Sequence, residues 1–425
     1  MGVEDISYWR AVPGDYVYRS PLHAGKTQYV TFDPEPGGWQ LARLQLENVL
    51  MFAASTGRTL VMPPPQRVRM SDEDGEGQMM SFYDLFPLER IVDSGRMDIV
   101  SSGEFLRREA AAGRLPVVPS RAVMALEPEA VSAYYANVAS QDIKGLLRAS
   151  PDKDVVVFPA RVGERILQED MSLEGRLGGL VSGRGVIEYR KHWTKAKVVH
   201  LQAGAESGNV LLAPFYTFIL HMDPTVDKYY KRFVRDMLHY RDEIFCKASQ
   251  VISLIKAESP QGFSTMHVQR RGLELEEAAD MSGIDILSNT QDFLEDGEVL
   301  YIATDEEDKT FFEPLSQRYR VRFLSSYASG ASLSDVQPDF WDLVEQVIAS
   351  HGRTFTGTWG SIFSAYIVRM RGYRGLPRES VYYSYLPQKF VHHQEQYPVH
   401  PYWMTEWHQG WEGIDDGQRP NPLAP

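Results

Sequence analysis

Apolar and polar positions alternate along this chain with two different periods, most cleanly in its second half. FSTMHV (263–268) is a short run of β-formers and reads as a strand. A helical stretch from Ile284 to Leu294 follows it, then the continuous apolar strand EVLYIAT (298–304). EEDKTFFEPLSQR reads as helical, RVRFLSS as a strand, and PDFWDLVEQVIASH as a helix ending at Gly352. RTFTGT is a further short strand and WGSIFSAYIVRMRG a further helix. Strand and helix alternating in this way predict a parallel, doubly wound sheet. Such sheets bind ligands beyond the carboxyl ends of their strands.

The first half begins with a βαβ unit. TQYVTF (27–32) is a strand and DPEPGG a turn. WQLARLQLENVLMFAAST (39–56) then carries Leu41, Leu44, Leu46, Val49, Leu50, Phe52 and Ala53 at helical spacing. GRTLVMPPP supplies a glycine stop, a buried strand from Thr59 to Met62 and a proline break. VVVFPA (155–160) and KVVHLQ (197–202) are further strands, and residues 226–256 are mainly helical and cross the expected domain junction. With 425 residues, two domains are the simpler prior, placed at 1–240 and 241–425. SDEDGEGQ (71–78) reads as a solvated loop, and the tail GIDDGQRPNPLAP as polar and frayed.

Net charge narrows the choice of partner. At −13 the chain has the wrong sign for a duplex-binding protein, so any anionic ligand needs a local basic site working against the overall field. The single cysteine, Cys246, excludes an intrachain disulfide. No Asn-x-Ser/Thr sequon occurs, the first residues hold no apolar signal core, and no stretch approaches the ~20 apolar residues of a membrane helix. These features leave the compartment open between cytoplasmic and, if a targeting segment was removed, Golgi or ER lumen.

Three stretches fall at expected strand ends. His267 lies at the end of the strand 263–268, and Gln269, Arg270, Arg271 and Gly272 follow it. The two guanidiniums either bind a phosphate through paired hydrogen bonds or pair at the surface with Glu274, Glu276 or Glu277. ATDEED (303–308) either caps the next helix through Thr304 and Asp305 or also accepts from a ribose or base. GTWGSIFS (357–364) places small and hydroxyl residues at a helix start, which suits both ordinary capping and phosphate capture through Ser361 or Ser364. Gly37 and Gly38 before the helix 39–56 likewise serve either sterics or an anion. No dinucleotide glycine loop, Walker loop or Gly-x-Ser-x-Gly elbow is present. The acidic string at 72–74 reads as solvated loop, and His392, His393, His400 and His408 match no zinc spacing.

Several segments, in order, resemble the O-fucosyltransferase-like proteins that use GDP-fucose, in particular forms common in algae and fungi. They include TFDPEPGGWQLARLQLENVLMFAASTGRTLVMPP, LLAPFYTFIL, KRFVRDMLHYRDEI, FSTMHVQRRGLE, EVLYIATDEEDKTFFEPL, FTGTWGSIFSAYIVRMRGYRG and the tail YYSYLPQKFVHHQEQYPVHPYWMTEW. The resemblance implies a GT-B glycosyltransferase, two Rossmann-like α/β domains facing across a cleft. The C-terminal domain takes the donor and the N-terminal one part of the acceptor. It places Gly37, Gly38 and Arg43 in the N-terminal glycine loop beside the donor. His267 falls near the nucleotide, Asp305 in a strand-end motif, and Ser361, Phe363 and Ser364 where phosphate and base are held. It implies fucosyl transfer to a hydroxyl of a protein or glycan with inversion and no metal. Arg270 and Arg271 are the candidate catalytic cations, and the base is unassigned, with Asp33 and Glu35 the nearest carboxylates.

Two departures touch this site. Gln269 stands where the family usually has an arginine two residues after the histidine, and Gln40 and Leu41 follow Trp39 where relatives tend to place Asn. They keep a second reading open, a catalytically silent relative that binds a nucleotide or peptide.

Overall fold

The computed structural model describes residues 5–10, 12–22, 28–34, 38–68, 78–111, 155–157, 189, 191–201, 219, 221, 223–271, 281–385, 388–391 and 407–416. Two largely parallel sheets occupy the two halves of the chain. The first contains β1 (Tyr29–Phe32), β2 (Thr59–Met62), β5 (Ile99–Ser101), β6 (Val155–Val157) and β7 (Val198–Leu201), in the order β5-β2-β1-β7-β6. All its pairings are parallel. A small antiparallel hairpin, β3 (Gln66–Val68) with β4 (Gln78–Met80), stands apart.

The second sheet contains β8 (Phe263–Val268), β9 (Val299–Thr304), β10 (Arg320–Arg322), β11 (Phe355–Thr358), β12 (Val381–Tyr385) and β13 (Gln388–Val391). Its order is β10-β9-β8-β11-β12-β13, and only the β12–β13 pair is antiparallel. The chain fills one side of β8 with β9 and β10, then crosses to β11 on the other side. The reversal leaves a crevice at the carboxyl ends of β8 and β11, the topological switch point of the sheet. The first sheet reverses between β1 and β7 in the same way.

The α/β alternation expected from the sequence is present, with informative differences. The stretch 226–256, expected to be mainly helical, is two helices, Pro224–Met237 and Asp242–Glu258; Asp223 caps the first by accepting from Thr225 N–H. The helix expected over EEDKTFFEPLSQR is a 3-10 turn, Lys309–Phe312, and one α-turn, Glu313–Ser316. Pro314 explains the break, because its ring has no N–H to continue the ladder. The helix expected to reach Leu294 ends at Thr290, and β10 is only three residues of the expected RVRFLSS strand.

The helix Trp39–Ser55 sets how the halves sit together. Its Leu46, Val49 and Leu50 are wholly buried, and so are its polar Arg43, Gln45, Glu47 and Asn48. A surface helix would expose that polar stripe; this one touches the helix Ile362–Tyr373 of the second half as well as β1 and β2. One apolar core accordingly runs from Val30 and Leu50 to Val347 and Tyr366. A smaller one, with Met266, Val268, Ile286 and Phe312, covers the other face of the second sheet.

An ionic lock crosses this junction. Glu47 accepts from Arg43 Nη1 at 2.7 Å and from Arg369 Nη1 at 2.8 Å, and all three residues are buried. Burial pushes the Glu47 carboxyl up, but Arg369 and Arg43 outweigh it and hold it below the usual carboxylate range. Both guanidiniums also lie over the Tyr366 ring, at 3.7 and 4.6 Å from its centroid. Removing one partner of a buried pair leaves charge uncompensated and typically costs ~3–5 kcal/mol. Glu47→Leu, which strands two guanidiniums, is therefore expected to lower unfolding stability by about that amount. Urea denaturation checks this, and an unchanged midpoint would remove the lock from the fold's energetics.

Candidate functional site at the second switch point

β8 runs directly into Gln269, Arg270 and Arg271, and both neighbouring strands pin that exit. Asp305, just beyond β9, accepts from the backbone N–H of Arg270 at 2.7 Å and of Arg271 at 2.9 Å. Thr358, at the end of β11, accepts from Gln269 N–H at 3.0 Å and donates its hydroxyl to His267 O at 2.9 Å. Asp305 thus spends its carboxylate on the β8 turn; the cap of the following 3-10 turn is Asp308, whose side chain accepts from Thr310 N–H.

After β11 the chain reverses through Gly360, whose φ of +85° favours glycine, and enters the helix Ile362–Tyr373. Ser361 is its N-cap, accepting from Ser364 N–H at 3.3 Å. Ser364 Oγ accepts from Thr358 N–H at 3.0 Å and bonds His267 Nδ1 at 2.8 Å. Gly357 allows that approach: a Cβ there would meet Ser364 Cβ and Oγ at 3.0 Å and Tyr383 at 2.9 Å. The Phe363 ring stacks on the imidazole, 4.3 Å between centroids. Burial pushes the His267 pKa down to about 3, so the ring is neutral at physiological pH and works as a hydrogen-bonding group.

His267, Gln269 and Arg270 line a cleft closed on its apolar side by Met266, Met281 and Ile286. The Arg270 guanidinium donates to Met281 O at 2.6 Å, stands 3.6 Å from Glu306 and lies over the Phe311 ring at 4.5 Å. Arg271 turns outward to Glu307 at 3.0 Å. Gln269 folds back onto its own turn, donating to Arg271 O at 2.8 Å.

The structure therefore gathers His267, Arg270, Asp305, Ser361, Phe363 and Ser364 around the ends of β8, β9 and β11. Arg271 sits at the rim. Gly38 is the N-cap of the helix Trp39–Ser55, and Arg43 lies within that helix, bound to Glu47. Glu35, Gly37, Gly272, Glu274, Glu276, Glu277, the acidic string at 72–74 and His392, His393 and His400 lie outside the described residues.

A second polar cluster occupies the switch point of the first sheet. His200 Nδ1 bonds Thr31 Oγ1 at 2.9 Å, and its Nε2 stands 3.3 Å from Asp33 Oδ1. The sequence holds a faint signal for it, a histidine inside the apolar strand KVVHLQ.

The family model for GDP-fucose protein O-fucosyltransferase matches residues 29–272 and 258–374. The chain belongs to that family. The matched stretches run from β1 through the helix Ile362–Tyr373 and contain both switch points. Among solved structures, this O-fucosyltransferase family member is similar to the apo form of POFUT1, at 15% identity and a TM-score of 0.44 over 84% of this chain and 98% of that one. POFUT1 in complex with GDP-fucose gives 14% identity and 0.43 over 85% and 98%. The fucosyltransferase NodZ from Bradyrhizobium gives 13% identity and 0.43 over 84% and 96%. A search of curated protein sequences finds no match. Among the described residues, no helix is long and apolar enough to cross a membrane.

The depressed His267 pKa fixes the sign of a pH effect. The unfolded chain binds a proton at this histidine below about pH 6.5, and the folded chain does not until about pH 3. Stability is present above that window and lost as pH falls through it, at up to ~1.4 kcal/mol per pH unit for each such group. His239, pushed by burial down to about 4, adds to the same slope. His267→Gln is expected to flatten the fall in urea-measured stability between pH 6 and about 4. An unchanged slope would show that the buried imidazole is not what titrates.

Proposed function

We propose that this protein transfers fucose from GDP-fucose to a hydroxyl of a protein or glycan, with inversion at the anomeric carbon and without a metal. Family membership supports the donor. The observation that carries the reading is the convergence at the second switch point: the Arg270 guanidinium and the neutral His267 line one crevice, and His267 bonds Ser364 in the first turn of a twelve-residue helix. As the glycosidic bond breaks, negative charge builds on the β-phosphate oxygen. In the proposed complex Arg270 exchanges its present carbonyl partner for that oxygen, and the N–H groups at the helix start add to the field. His267, uncharged, orients the nucleotide. The acceptor hydroxyl approaches from the first sheet, and Asp33, held beside His200, takes its proton.

A second reading rests on Gln269. Its side chain is turned back to Arg271 O and brings no charge to the crevice, as a catalytically silent nucleotide-binding relative would allow. Turnover separates the two readings, because both predict GDP binding and only the first predicts release of GDP from GDP-fucose in the presence of a hydroxyl acceptor.

In a thermal-shift series, GDP and GDP-fucose are expected to raise the unfolding midpoint more than UDP or ADP, since binding to the native state alone stabilises it. A ranking led by UDP overturns the donor assignment. Arg270→Ala is expected to lower GDP-fucose turnover ~10²–10³-fold and to weaken GDP binding. Full turnover with full GDP affinity rules that arginine out. Asp33→Asn is expected to lower turnover ~10²-fold or more while leaving GDP affinity unchanged, the signature of a proton acceptor remote from the donor. Equal losses in both would make Asp33 a structural residue.

A further inference from the structure

We infer that Gln346, together with Gln40, is a positioning residue that carries the placement of the first half into the nucleotide crevice. This rests on the donor reading above. Gln346 lies on the helix Trp341–Ala349 among Leu343, Val344 and Val347, and it is wholly buried. A buried amide has to satisfy donors and an acceptor at once. This one reaches three different elements. Its Oε1 accepts from Tyr240 Oη at 2.5 Å and from Gln40 Nε2 at 3.3 Å, and its Nε2 donates to Phe363 O at 3.0 Å.

The polarity of this chain is determined by its ends. Arg43 Nε, which only donates, gives its proton to Gln40 Oε1 at 3.2 Å. Gln40 therefore presents its NH₂ to Gln346, which must answer with its oxygen. The Gln346 NH₂ is left for Phe363 O, a carbonyl that only accepts. Donation thus runs one way, Arg43 to Gln40 to Gln346 to Phe363, and the Gln346 step joins the two halves. Its terminus matters because the Phe363 ring is stacked on His267 and the next residue, Ser364, bonds the same imidazole. Ser364 fixes the helix start from β11, and Gln346, bonded to Gln40, links it to the first half. Moving Gln40 relative to the second sheet would rotate the first turn of the helix Ile362–Tyr373, and with it the surface offered to a base and diphosphate.

The test is GDP titration calorimetry, with thermal unfolding measured in parallel, on wild type, Gln40→Ala, Gln346→Leu, Gln346→Glu and the Gln40→Ala/Gln346→Leu double variant. Gln346→Leu is expected to weaken GDP about tenfold and Gln40→Ala severalfold, the scale of one sheltered hydrogen bond each. The double variant should bind no worse than Gln346→Leu alone, because the connection passes through Gln346. Gln346→Glu keeps an oxygen for Tyr240 and Gln40 but, ionised, turns a second acceptor towards Phe363 O, so it should weaken GDP at least as much as Gln346→Leu. A purely structural role would lower the unfolding midpoint and leave the affinity of the folded protein intact. That outcome, or wild-type affinity in every folded variant, overturns the inference. If a Gln346 variant does not fold, Gln40→Ala decides alone. Wild-type protein that fails to bind GDP overturns the donor reading and this inference together; wild-type binding with unaffected variants overturns only the inference.

Discussion

A carboxylate buried between two guanidiniums, on helices from opposite halves, is the constraint on which the rest of the molecule depends. Glu47 comes from the βαβ unit of the first half and Arg369 from the helix that follows β11 in the second. Three ionised side chains without access to water are costly to bury, and isosteric apolar packing would often be as stable. Such a group acts less as glue than as a register mark, because charges in a low-dielectric interior tolerate little displacement. Here the mark aligns the helix Trp39–Ser55 with the helix Ile362–Tyr373 that follows β11. The shared apolar core supplies the bulk of the cohesion, while the lock and the Gln40–Gln346 contact fix the angle.

From that alignment the crevice follows by local chemistry. A parallel sheet that reverses direction at β8 opens a gap beyond its strand ends. The gap is furnished by groups whose backbone is held from two sides: the β8 exit by Asp305 and Thr358, the helix start by Ser361 and Ser364. Most of the hydroxyls and carboxylates that a motif search would assign to a ligand are thus engaged in building the site. Arg270 and His267 line the cleft between those supports. That division matters for a chain of net charge −13, in which attraction to a diphosphate has to be local.

Much of this was legible in the sequence. Apolar runs such as EVLYIAT and FSTMHV have one reading as buried parallel strands, and the structure places them within a residue of the expected bounds. The helix 39–56 was legible from its leucines, but its burial on every side was not, since nothing in the local pattern ties Arg43 and Glu47 to Arg369, more than 300 residues away. The roles at the site were less visible for the same reason. Spacing offered Arg270 and Arg271 as equals, and only the fold distinguishes the one lining the cleft from the one at the rim. Gln346 left a trace as a polar residue on the apolar stripe of PDFWDLVEQVIASH, a pattern that marks a buried polar contact without naming its partner.

Amide hydrogen exchange with and without GDP tests most directly whether the second switch point is where the nucleotide sits. Added protection is expected in peptides covering Met266–Arg271 and Thr358–Ala365, the β8 exit and the helix start joined to it through His267 and Ser364, with little change along the β12–β13 edge. Protection confined to the first sheet, or none at a GDP concentration that stabilises the protein, would contradict a donor site built on β8, β11 and the helix that follows.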